Sequence, residues 1–205
     1  EVTGTGIPYT FPLDDGSGNL IPVTVTLNSA TSFTSAYIEV LTTDSKHTIN
    51  QNALSYFDRF WQINFVGIGN PSYSVTTNFT ADDLVNSPTN LVAGSYSSGW
   101  SSIPLATVGG SSISFSHNVA NLIFTALDAP TITITNIDPI EICSGESVTI
   151  TTTASADPVA SYSWNPTTNL DLTDPANPGA SPIATTSYTV TLTDGNGLTA
   201  LDNTK

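Results

Sequence analysis

Apolar side chains fall on every second position in run after run of this chain. Val23, Val25 and Leu27 alternate with threonines, Ala36 to Leu41 alternates again, and Trp61, Ile63 and Phe65 share one side of the segment from Phe60 to Val66. Tyr73, Val75 and Phe79 are in phase between Ser72 and Phe79. A period of two places each set on one face of a β-strand. The segment from Phe60 to Val66 is the most apolar and belongs inside a sheet. Tyr9 to Leu13 leads into the turn Asp14 to Asn19, Leu91–Ser97 and Trp100–Ala106 form a hairpin around Ser98-Gly99, and Ser111–Ser116 and Ala120–Ala126 supply closing strands. Two stretches break the rhythm. Asp44 to Leu54 is polar and irregular, a loop with at most one helical turn, and Ala81 to Val85 reads as a short helical turn capped by the surface pair Asp82 and Asp83.

Many short strands with turn residues between them predict a β-sandwich, jelly-roll-like, over residues 1–128. The segment from Ala126 to Pro130 is the predicted boundary, a short Pro-containing linker that leaves little swing between domains. From Thr131 to Thr135 a second alternation starts a domain over 131–205. Its inward sets are Val148 and Ile150, then Tyr162 and Trp164, then Tyr188, Val190 and Leu192. The segments between them are rich in Pro, Asn, Asp and Gly. A central Trp and a Tyr-bearing late strand suit a small immunoglobulin-like sandwich. The fold class is therefore all-β, two tandem sandwich domains.

Two stretches carry a resemblance. Cys143-Ser144-Gly145-Glu146-Ser147-Val148-Thr149-Ile150-Thr151, then Tyr162-Ser163-Trp164-Asn165-Pro166, then Thr186 to Ala200 with its Asp194-Gly195-Asn196-Gly197 turn, resemble the PKD-like/immunoglobulin-like repeats of large secreted Bacteroidota surface proteins. The first half, through Tyr9 to Val25, Arg59 to Gly67, Tyr73 to Leu84 and Asn90 to Ile103, is similar to a β-sandwich module that precedes such repeats. The resemblance implies adhesion or gliding motility and export by the type IX pathway. Members of that family often carry a second cysteine where this chain has Leu198, so the resemblance implies that Cys143 has lost its partner.

Composition narrows the function classes. Hydrophobic residues make up 39% of the 205, enough for packed cores. Charged residues make up only 10%, and the net charge is −14, with Lys46, Arg59 and Lys205 the only fixed cations. That balance argues against nucleic acid, which needs a basic face, and against docking on anionic lipid. It fits solubility outside the cell. A single cysteine cannot close an internal disulfide. The chain has no Met even at position 1, which predicts a processed piece of a longer product whose export signal lies elsewhere. No apolar run reaches membrane-spanning length.

Chemistry is sparse. His47 and His117 lie apart, with no acid or nucleophile at a telling spacing, and Gly-x-Ser-x-Gly does not occur, so no catalytic residue is assigned and no enzyme is expected. Asp15, Ser17 and Asn19 begin as a calcium loop begins, but its twelfth position is Thr26, and a plain turn is the competing reading. Calcium is the one cofactor the pattern admits. Trp100, with Tyr96 in phase beside it, is the candidate for stacking on a glycan, against the reading of both as packing residues. Cys143 reads as a small buried hydrophobe. The sequon Asn78-Phe79-Thr80 is expected to be coincidental in a bacterial protein.

The function expected is a non-catalytic stalk segment of a secreted or cell-surface bacterial adhesin. Its partners are the neighbouring domains of the same long chain, with glycans or cell-surface components beyond them. The alternatives are a glycan-binding module, or accessory domains of a secreted hydrolase.

Overall fold

The computed structural model describes residues 1–136, 139–143 and 145–205; Ser144, within the first resemblance-carrying run, lies outside them. The chain is all-β of sandwich type and divides into two compact units, Glu1–Asp128 and Ala129–Lys205.

The first unit has twelve strands: β1 (Pro8–Phe11), β2 (Val23–Ser29), β3 (Ser32–Thr43), β4 (Tyr56–Phe57), β5 (Phe60–Gly69), β6 (Ser72–Asn78), β7 (Leu84–Val85), β8 (Leu91–Tyr96), β9 (Trp100–Ser102), β10 (Thr107–Gly109), β11 (Ser112–His117) and β12 (Asn121–Asp128). Two five-stranded antiparallel sheets, in the orders β1-β2-β6-β11-β10 and β3-β5-β12-β8-β9, hold one core between them. Alternation decides which side chains enter it. Val23, Val25 and Leu27 on β2, Trp61 and Ile63 on β5, and Tyr73 on β6 are fully buried. Each large apolar side chain so buried is worth about 1.5–3 kcal/mol. β5 lies inside its sheet, between β3 and β12.

The predicted turn at Ala81 is a single 3₁₀ turn, Ala81–Asp83, which gives way at once to β7, a two-residue strand paired with β4. Asp83 is not on the surface: it is 1% exposed, and its carboxylate accepts the Thr80 backbone N–H at 2.7 Å, closing a capping box. The loop 44–55 contains one hydrogen-bonded turn, Asn50 N–H to His47 C=O at 2.8 Å.

The second unit has β13 (Thr131–Ile134), β14 (Val148–Thr149), β15 (Thr152–Ser155), β16 (Val159–Asn165), β17 (Leu170–Asp171), β18 (Gly179–Ala180), β19 (Tyr188–Asp194) and β20 (Thr199–Thr204). They form three ladders, β13-β15, β14-β18-β17 and β16-β19-β20, around a core of Ile132, Ile150, Trp164, Ala180, Tyr188, Val190 and Leu192. The two polar tips in that core are satisfied: Trp164 Nε1–H donates to the Pro175 carbonyl at 2.8 Å, and the Tyr188 hydroxyl donates to the Thr168 carbonyl at 2.9 Å.

Candidate functional site

The two outer faces of the first unit differ in chemistry. On the β1-β2-β6-β11-β10 sheet, the register aligns Thr10, Thr24, Thr76, Ser114 and Thr107 across all five strands, a row of hydroxyls alone. Thr10 and Thr24 hydroxyls meet at 3.0 Å, and Ser114 donates to Thr76 at 3.1 Å. The row across the other sheet is Leu41, Gln62, Ile123, Tyr96 and Trp100. The next row is Glu39, Asn64 and Asn121, and beyond it Tyr37 stands opposite Val66. Inward residues of these strands are core, so all of these project outward.

The polar members are linked. Asn64 Nδ2 donates to Glu39 Oε2 at 2.8 Å, and Gln62 Nε2 donates to Asn64 Oδ1 at 3.1 Å. Tyr37 is 48% exposed on one side of this chain of bonds, and Tyr96 is half-buried on the other.

One end of the face is covered by the loop 44–55. The His47 ring sits 4.8 Å from Phe60, 5.2 Å from Tyr96 and 5.1 Å from Trp100, edge-on to Phe60 and Trp100. Asp128 anchors the loop: its carboxylate accepts from the Ser55 hydroxyl at 2.6 Å, and its backbone carbonyl accepts from Asn52 Nδ2 at 3.3 Å. Lys46 Nζ donates to the Asn52 carbonyl at 2.8 Å and lies 4.6 Å from the Tyr56 ring centre. Beneath the loop Trp100 is only 6% exposed, so its ring is a packing surface and offers no face to a sugar. Gly94 makes room for Leu127 next to it; a Cβ there would lie 2.5 Å from Leu127 Cδ1 and 3.4 Å from Trp100 Cε3.

The histidines are not arranged for proton transfer. Burial lowers the pKa of both. Nδ1 of His47 accepts the Ile49 N–H at 3.3 Å, and Nδ1 of His117 accepts the Asn118 N–H at 3.0 Å. Among the described residues, the partners of the two imidazoles are aromatic rings and backbone amides.

Asp15, Ser17 and Asn19 come together, as a turn. Oδ1 of Asp15 accepts the N–H groups of Ser17 and Asn19 at 2.9 and 3.0 Å, and Oδ2 accepts Asn19 Nδ2 at 2.7 Å. The Asn19 side-chain bond, with the two backbone donors, holds the Asp15 carboxyl below its usual range despite burial. These bonds give Asp15 the geometry of the plain turn. Among the described residues no group of three or more His, Cys, Asp or Glu is placed to hold a metal ion.

In the second unit, Asp194 of the Asp-Gly-Asn-Gly turn is 1% exposed and takes the Leu198 N–H at 2.7 Å. Burial raises its pKa, against the lowering effect of backbone N–H bonds from Leu198, Asn196 and Gly197. Cys143 is exposed, contrary to the buried hydrophobe its composition suggested, because the 139–143 segment lies along an open cleft of about 590 Å³ rather than in the core. Leu198 is buried, at 7% exposure.

Glu39, Gln62, Asn64, Asn121 and Tyr37 were not singled out by sequence reasoning. The available signal was Gln62 and Asn64 at outward positions of a strand, where β2 has Thr24 and Thr26 and β6 has Ser74 and Thr76. Comparison with protein-family models, with curated proteins and with solved structures finds no match.

Proposed function

We propose that this chain is a non-catalytic spacer within a secreted or surface-anchored bacterial protein, holding a binding tip away from the cell in adhesion or gliding motility. The observation that carries the reading is architectural. Each unit closes on an apolar core of its own and is built almost wholly from antiparallel ladders. Backbone hydrogen bonds in such ladders resist extension collectively, which suits a segment under tension. The ring-packed histidines, whose pKa values burial lowers, support the non-catalytic reading. The PKD-like order of Cys143, Trp164 and Tyr188 supports the secreted surface setting and the type IX route.

The test is a replacement within the parent protein. The spacer reading expects adhesion to survive when these two units are exchanged for two unrelated sandwiches of equal length, and to weaken when they are deleted. Loss of adhesion on the exchange would refute it.

A further inference from the structure

We propose that the outward face of the β3-β5-β12-β8-β9 sheet is a binding platform for an extended neutral glycan, with the exposed Tyr37 as its stacking ring and Glu39, Gln62, Asn64 and Asn121 as its hydrogen-bonding groups. The site goes beyond the spacer role, since a spacer needs only a solvated outer face. The hydroxyl rows of the opposite sheet show what such a face looks like in this same unit.

The strip holds unused hydrogen-bonding capacity. An amide offers two N–H donors and a carbonyl acceptor. Asn64 spends one donor on Glu39 and its oxygen on Gln62; Gln62 spends one donor on Asn64. One donor on each, the Gln62 oxygen, the second Glu39 oxygen and the whole Asn121 amide remain, facing out from neighbouring strands about 5 Å apart. A sugar ring presents alternating hydroxyls, each both donor and acceptor, and an apolar C–H face. Mixed amides and one carboxylate match the first, and the exposed Tyr37 ring matches the second. The internal bonds fix Gln62, Asn64 and Glu39 in advance, so these side chains lose little freedom on binding.

The ligand's charge follows from the chain's own. Glu39 within the strip and a net charge of −14 repel uronates and sulfates, and the uncharged amides that make up most of the strip suit a neutral polysaccharide. The face is a strip bounded at one end by the His47 loop, which fits a chain of sugars rather than a single residue.

Affinity electrophoresis of the full chain tests this, in gels containing soluble mannan, β-glucan, xylan or dextran, with polygalacturonate as the acidic comparison. Retardation by at least one neutral polysaccharide is expected, with Tyr37→Ala and Asn64→Ala each weakening it about tenfold and Asn121→Ala weakening it less. Tyr9→Ala, on the opposite sheet, should leave it unchanged. Thermal melts of each variant verify folding, and Asn121→Ala serves if Tyr37→Ala or Asn64→Ala melts early. No retardation by any neutral polysaccharide overturns the proposal, as does retardation by polygalacturonate alone or retention that survives the folded variants.

Discussion

Nε of Arg59 lies 2.8 Å from Oδ1 of Asp83, and both side chains are shut away from water, at 2% and 1% exposure. Arg59 also reaches Oδ1 of Asp44 at 2.9 Å, but Asp44 is 59% exposed. Removing one member of a buried pair strands the other, at a cost of about 3–5 kcal/mol. Arg59→Met should therefore lower unfolding stability by that amount in urea titration. Asp44→Asn should cost less than about 1 kcal/mol, as exposed ion pairs do. Equal losses from the two would contradict this assignment.

Gly67 sits at φ +65°, where the β3-β5 register shifts between Phe33 and Tyr37. A Cβ on Gly67 would run into the backbone carbonyl of Thr34. Gly67→Ala should lose about 1–3 kcal/mol, combining left-handed backbone strain with overpacking. Gly99→Ala, at a position with open space around its Cβ, serves as the comparison and should stay near neutral.

Acid should act on the two units with opposite sign. In the first, burial lowers the pKa of His47 and His117 below 6.5, so the unfolded chain takes up protons first. Stability is then lost as pH falls from about 6.5 toward the folded-state values. His47 packs on the rings of Phe60, Tyr96 and Trp100 and accepts the Ile49 amide N–H, surroundings that disfavour its charged form. The variant His47→Phe with His117→Gln should flatten the slope. In the second unit the raised Asp194 favours the protonated fold: its contribution is complete below 3.8 and is lost as pH rises through its folded value. Calorimetry across pH 4 to 7.5 should show that this dependence disappears in Asp194→Asn.

The Tyr188 hydroxyl bonds the Thr168 carbonyl across twenty residues of chain. Tyr188→Phe should cost about 0.5–1.5 kcal/mol, the net worth of one such bond, with strand content by circular dichroism unchanged. A neutral result would mean that water takes the place of the hydroxyl.

The alternations at Val23, Val25 and Leu27, at Trp61, Ile63 and Phe65, and at Tyr188, Val190 and Leu192 were legible because one buried face imposes the period-two pattern directly. Trp164 was legible as core for the same reason. What escaped depends on register or on distant partners. β4 and β7 are two residues each, too short to show a period. Arg59 is a charge beside Phe60 whose burial makes sense only once topology delivers Asp83 and Asp44. Trp100 is out of phase with the main core and is buried instead by the His47 loop on the outer face. The strip of Glu39, Gln62, Asn64 and Asn121 exists only where three strands align, so no single run of sequence displays it.

Single-molecule force extension of the full chain bears most directly on the spacer account, in which each unit resists tension by itself. Two separate unfolding events are predicted, releasing chain in proportion to residues 1–128 and 129–205, roughly 435 Å and 260 Å of contour at about 3.4 Å per residue. Featureless stretching at low force, or one concerted rupture releasing the whole length, would contradict it.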